Sequence, residues 1–264
     1  MTKRQQRVLL STANLIGFIG MVVVNALANA IPLGGKTTGE LSDQYPNLFV
    51  PAGITFSIWG VIYLALAVYV ACGLSVAFRK NASEDSFVER IGVLFLVTCL
   101  ANAGWIFAWQ YEVLPLSLVL MVVLLVTLIA LYLRLEIGGQ RASAGVRYLV
   151  HLPVSLYLGW ITVATIANVT ALLVAYRWNA FGVSEQVWAI VMIAVGVVLT
   201  AIMLLSRGDI FYSLVVDWAL LGIFLKRTVD ASAASQAVAI AAICGMALVT
   251  IGIVVQLARR RLYA

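Results

Sequence analysis

Long stretches without a charged side chain dominate this chain, and they restrict it to one kind of solvent. A helix needs about 20 mostly apolar residues to cross roughly 30 Å of hydrocarbon at about 1.5 Å per residue. Runs of this kind lie near 8–32, 51–78, 89–110, 113–133, 147–175, 186–206, 209–225 and 233–258. The interruptions carry charges or turn formers, as in Pro32-Leu33-Gly34-Gly35, Arg79-Lys80-Asn81, Gln110-Tyr111-Glu112, Gly138-Gly139, Arg177-Trp178-Asn179, Arg207-Gly208-Asp209 and Lys226-Arg227. Lipid does not accommodate such backbone, so each marks a return to water. Composition leaves no soluble alternative. Of 264 residues, 63% are hydrophobic and 11% charged, too few polar groups to cover a water-soluble fold of this size.

The expected fold is therefore an all-α, polytopic transmembrane bundle of about eight helices. Basic residues test the parsing, because they concentrate in cytoplasmic loops. With the N-terminus inside, the inner segments hold Lys3, Arg4, Arg7, Arg79, Lys80, Arg90, Arg134, Arg141, Arg147, Arg207, Arg259, Arg260 and Arg261. The outer segments hold Lys36, Arg177, Lys226 and Arg227. Two basic termini on one side require an even number of crossings, so both termini are expected in the cytoplasm and the chain in the cell (inner or plasma) membrane. The net charge of +6 then reads as topology, with no nucleic-acid partner. The first run also has the form of a secretory signal, with Ala28-Asn29-Ala30 as a cleavage site, which would leave seven helices. Its length and the internal Asn14 and Asn25 argue for a retained helix. The segment from Leu33 to Val50 is expected outside, folding back over the helix ends with Tyr45, Pro46 and Phe49.

Chemistry is excluded more readily than it is assigned. Cys72, Cys99 and Cys244 all lie inside apolar runs and form no metal or redox motif. His151 has no second ligand nearby in sequence, so no metal site is expected. HExxH, paired intramembrane aspartates, GxSxG and a phosphate-binding glycine loop are all missing, so an enzyme is not expected. A retinal lysine deep in the last helices is missing too, since Lys226 sits at a helix end.

In lipid the informative side chains are those costly to place there. Asn14, Asn25 and Asn29 fall near one face of the first run. Thr55, Trp59 and Tyr63 form an i, i+4, i+8 stripe; Asn102, Trp105 and Trp109 an i, i+3, i+7 stripe; Tyr157, Trp160, Ala164 and Asn168 a third. Rings and amides on three faces suit a cavity for a flat, largely apolar ligand. Taken singly, each has a plainer reading, an Asn bonded to another helix or a Trp or Tyr in the interfacial belt. Asp217, with Asp209 and Ser213 on one line, is either a proton-coupling carboxylate or a buried one bonded to Ser, Thr or Trp of a neighbouring helix.

These stripes resemble the tryptophan-rich sensory protein family, TspO/MBR, which includes the translocator protein. The matching residues are the entry from Pro51 to Trp59 and Tyr63, then Asn102-Ala103-Gly104-Trp105-Ile106-Phe107, then Tyr157, Trp160, Thr162, Ala164 and Asn168. The resemblance covers roughly 8–176, so residues 1–176 are expected to form a five-helix bundle and 177–264 three additional helices, in an enlarged, divergent member. A proline just before Tyr157 is lacking, and the double-proline entry is reduced to Pro51-Ala52-Gly53. The resemblance implies a cavity binding porphyrin- or haem-type molecules or other hydrophobes, lined by Trp59, Tyr63, Asn102, Trp105 and Trp160, with Ala164 allowing close helix approach. No cofactor is required. The expected function is sensing or carrying a small hydrophobic ligand. The alternatives are a proton-coupled secondary transporter using Asp217 and a structural partner in the membrane. Ala237, Ala241 and Gly245 in the last run would permit helix contact within the chain or in a homodimer.

Overall fold

A computed structural model describes residues 2–79, 86–139 and 142–262, the last three without their side chains. Lys80, Asn81 and Arg141, together with the side chains of Arg260 and Arg261, lie outside the described residues. The described chain is helical throughout: α1 Lys3–Ala30, α2 Thr38–Asp43, α3 Ile58–Phe78, α4 Phe87–Ile91, α5 Leu94–Gln110, α6 Leu114–Arg134, α7 Ala144–Val146, α8 Leu152–Ala175, α9 Glu185–Arg207, α10 Ile210–Thr228 and α11 Ala233–Leu262. A 3-10 turn, Gly53–Ser57, leads into α3, and a π-turn, Arg147–His151, leads into α8.

Local chemistry sets the helix ends. Thr2 and Gln5 form a reciprocal capping box at the start of α1, at 3.2 and 2.8 Å. Between α9 and α10 a single turn closes one helix and opens the next. Gly208 takes the left-handed conformation, φ 60°, and Asp209 then accepts from the Tyr212 amide at 3.1 Å. Asp209, read from sequence as part of a polar line with Asp217, is thus a helix cap. At the start of α11, the hydroxyl of Ser235, then the amide and hydroxyl of Ser232, hold the Asp230 carboxyl below its ordinary range. An anion there is favoured by the helix dipole, and Ser232 Oγ accepts from the Ser235 amide of the first turn at 3.2 Å.

Each apolar run found in the sequence contains a helix, though the run at 89–110 is broken between α4 and α5 by a turn at Gly92 and Val93. Among the described residues, six helices are long and apolar enough to cross a bilayer: Lys3–Ala30, Gly53–Phe78, Leu114–Arg134, Ala144–Ala175, Glu185–Arg207 and Ala233–Arg259. The remaining two runs are poorer candidates. Leu94–Gln110 has 17 residues, about 26 Å of helix, and Ile210–Thr228 carries Asp217 in its middle and Lys226 and Arg227 at its end. Leu116, Val119, Val126 and Ile129 of α6, like Ile240, Leu248, Ile251 and Val254 of α11, are exposed. Water would oppose such a surface; acyl chains solvate it.

The chain divides into two compact units. The first comprises Met1–Thr38 and Trp59–Leu158, and the second Gly39–Ile58 and Gly159–Ala264. In the first unit α1 packs on α5, and α5 on α6. The inward face of α1 carries Arg7, Ser11, Asn14, Met21, Asn25 and Ala28. Asn29, expected on that face, is exposed and donates back to the Asn25 carbonyl at 2.9 Å. In the second unit α9, α10 and α11 pack on one another, and α10 also carries the 3-10 turn. Of the outer-segment residues, Phe49 is buried, Tyr45 half-buried and Pro46 exposed.

Candidate functional site

The first unit assembles a ring cluster from three helices. Trp59 at the start of α3 stacks on Tyr63 one turn later, with centroids 5.3 Å apart and planes at 19°. Trp59 also lies 6.5 Å from Trp105 of α5 and meets Tyr157 of α8 edge-on at 6.0 Å. Trp105 in turn stacks on Trp109, at 5.9 Å and 18°. Such spacings fall in the favourable range for aromatic pairs. Trp59 is the hub.

Polar groups beside the rings divide into the used and the unused. Asn25 Nδ2 donates to Asn102 Oδ1 at 2.7 Å, Asn102 Nδ2 donates to Tyr157 Oη at 2.8 Å, and Tyr157 Oη donates to Met21 Sδ at 3.9 Å. The chain of bonds ties α1, α5 and α8 together where no water competes. Asn102 and Tyr157 therefore spend polar atoms on helix pairing. Asn25, which the sequence placed on an inward face without a partner, completes this network. Trp109 Nε1 donates to the Thr38 carbonyl at 3.3 Å. Gln110 accepts from the Gly34 amide at 3.1 Å and donates to the Ala28 carbonyl at 3.3 Å. These last two residues pin the segment after α1.

Two donors in the same cluster differ. Tyr63 Oη and Trp105 Nε1 are buried and have no hydrogen-bond partner among the described residues. A buried polar group left unsatisfied costs about 1–3 kcal/mol.

The second unit holds the other residues singled out from the sequence. Trp160 is buried and meets Phe56 edge-on at 5.8 Å, Asn168 is buried, and Ala164 is half-buried. At Gly159 α8 makes a close approach, where a Cβ would come within 3.0 Å of the Tyr212 carbonyl oxygen and 3.1 Å of Val215 Cβ. Thr55 leaves the stripe expected with Trp59 and Tyr63, because the chain around it forms a 3-10 turn seated on α10. Trp218 Nε1 donates to the Thr55 carbonyl at 2.9 Å, and the Ala52 amide donates to the Gly222 carbonyl at 3.0 Å. An ion pair of Lys226 with Asp43 fixes the preceding segment to the same helix. Asp217 Oδ2 accepts from Thr250 Oγ1 of α11 at 2.8 Å, while Oδ1 is buried with no partner among the described residues. His151 is buried at the π-turn. Among the described residues no group of three His, Cys, Asp or Glu could hold a metal ion.

The sequence profile described as TSPO-like protein matches residues 11–255. The chain belongs to this family. The match extends past residue 176 through α9, α10 and most of α11, beyond the portion whose motifs carry the resemblance. No curated protein and no solved structure matches the chain. Membership in the TSPO-like family and six sufficiently long apolar helices make this a multi-pass membrane protein.

Proposed function

We propose that this TSPO-like protein binds a small, flat, mostly apolar molecule at the Trp59 cluster and acts as its sensor or carrier. In this reading eight helices span the cell membrane and both termini are cytoplasmic. The observation that carries it is the pair of buried, unpartnered donors, Tyr63 Oη and Trp105 Nε1, on rings that pack around Trp59. Aromatic faces offer stacking surface, and two directed donors select a ligand with acceptor atoms at its edge. A porphyrin-type macrocycle with carboxylate side chains has that chemistry. Asn102 and Tyr157 shape the site by holding α1, α5 and α8. Trp160, Ala164 and Asn168 are the further candidates carried by the family resemblance. No catalytic step enters the proposal.

Protoporphyrin IX added to the purified protein should quench tryptophan emission saturably. Trp59→Phe with Trp105→Phe removes stacking surface and one donor, together about 1.5–3 kcal/mol, and should weaken the apparent affinity about tenfold or more. An unchanged titration in the double variant would place the ligand elsewhere.

A second reading rests on Asp217, a carboxylate inside an apolar helix with one oxygen buried and unpartnered. Intramembrane carboxylates are costly and commonly mark proton pathways. In proteoliposomes this reading expects ligand uptake driven by a pH gradient and abolished in Asp217→Asn. Uptake indifferent to that exchange leaves Asp217 a structural partner of Thr250.

A further inference from the structure

Residues 176–184 join α8 to α9 and form a small aromatic knot. Trp178 lies at its centre, edge-on to Phe181 at 5.1 Å and 84° and tilted against Trp188 at 5.4 Å and 54°. Trp188 Nε1 donates to the Ala180 carbonyl at 3.0 Å, and the Phe181 amide donates to Asn179 Oδ1 at 3.2 Å. These contacts hold a backbone that side chains disfavour: Arg177, Ala180 and Phe181 all have positive φ, at 49°, 53° and 56°. Residues with a Cβ adopt that region at a cost, and a bulky aromatic there is an outlier. Strain of this kind persists only where the surroundings enforce it.

Its result is display. Phe181 is 79% exposed and Tyr176 68%, on a loop whose only charged residue is Arg177. Left in water, this arrangement stores strain in order to expose rings. The flanking helices remove the paradox. Both Ala144–Ala175 and Glu185–Arg207 are long and apolar enough to cross the bilayer, so a connection this short stays at the membrane surface. We infer that the knot is a preorganised interfacial anchor: Trp178 and Trp188 form its rigid base, and Phe181 and Tyr176 enter the boundary between headgroups and acyl chains. Tyrosine and tryptophan favour that depth, and Arg177 can reach lipid phosphates from it. The anchor fixes how deep the ends of α8 and α9 sit. This inference does not depend on the ligand reading.

The test uses the full chain in phosphatidylcholine bilayers. A nitroxide at Phe181→Cys, in a Cys72→Ala, Cys244→Ala background that retains buried Cys99, should collide more with oxygen than with a water-soluble nickel chelate. A nitroxide at Glu185→Cys, exposed at the start of α9 and outside the knot's contacts, serves as the reference. Equal chelate access at both positions overturns the inference, and so does shielding of position 181 from both reagents, which would mean a protein cover. Should labelled variants misfold, the emission lost in Trp178→Phe with Trp188→Phe isolates the knot's own fluorescence. That component should be quenched by lipid brominated near the headgroup end of its acyl chains. Quenching by aqueous iodide instead overturns the anchor.

Discussion

Asn102→Ala is expected to lower the unfolding free energy by about 2–3 kcal/mol, because one side chain leaves two buried partners behind. Asn25 Nδ2 loses one of its two acceptors, keeping the Met21 carbonyl at 2.9 Å, and Tyr157 Oη loses its donor; all three side chains are buried. Unfolding by SDS out of dodecylmaltoside micelles, followed by circular dichroism, measures the loss. The asymmetry of hydrogen-bond energetics supplies a control. Removing the whole network, by Asn25→Leu, Asn102→Leu and Tyr157→Phe together, leaves nothing unsatisfied and should recover at least about half of the deficit. A shift below about 0.5 kcal/mol in Asn102→Ala would mean that the bonds are exchanged for others in the unfolded, membrane-bound chain, as intramembrane pairs sometimes are.

Gly222→Ala should be at least as damaging, by about 3–5 kcal/mol. A Cβ at Gly222 would overlap Thr55 Oγ1 and lie 2.8 Å from its Cγ2 and 2.9 Å from its Cβ. Overpacking of that kind costs about 1–3 kcal/mol, and moving the turn away also breaks Ala52–Gly222 and Trp218–Thr55, at about 1 kcal/mol each. Because the clash reaches Thr55 Cβ, Thr55→Ala should rescue only in part and Thr55→Gly more fully. Protease sensitivity in the segment 39–52 reports release of the turn. If Gly222→Ala unfolds like the parent and resists protease equally, α10 does not seat the entry to α3.

These two sites differ in how far they could be read in advance. Asn102 was visible as a costly amide on an aromatic face, and Asn25 as an inward amide on another helix. Sequence offered no way to pair them, since nothing in either helix states its height against the other. The same holds for Asp217: a Ser, Thr or Trp partner on a neighbouring helix is one of its two readings from sequence, but nothing in the sequence singles out Thr250. Gly222 gave no signal at all. Its importance lies in a close approach to a residue far away in sequence, and a glycine in an apolar helix has many possible reasons.

Thr55 is the instructive error. Periodicity alone set it with Trp59 and Tyr63, because i, i+4, i+8 spacing defines one face only if the helix is continuous. The chain instead enters α3 through a 3-10 turn, whose tighter winding changes the register. Hydrogen bonds to Trp218 and Gly222 then draw the turn to α10. Asn29 misled for a related reason: it satisfies itself on the preceding turn and so can stay exposed.

What the sequence determined by itself is the solvent and the element list: where each helix runs, where lipid cannot follow, and which faces carry rings and amides. Those follow from local chemistry, because the cost of exposing backbone or charge to hydrocarbon is incurred residue by residue. Only the tertiary structure decided which amides satisfy each other, which buried donors find no partner among the described residues, and which helix holds the turn before Trp59. Such pairings depend on the relative height and rotation of packed helices, a property of their contacts that no single segment encodes.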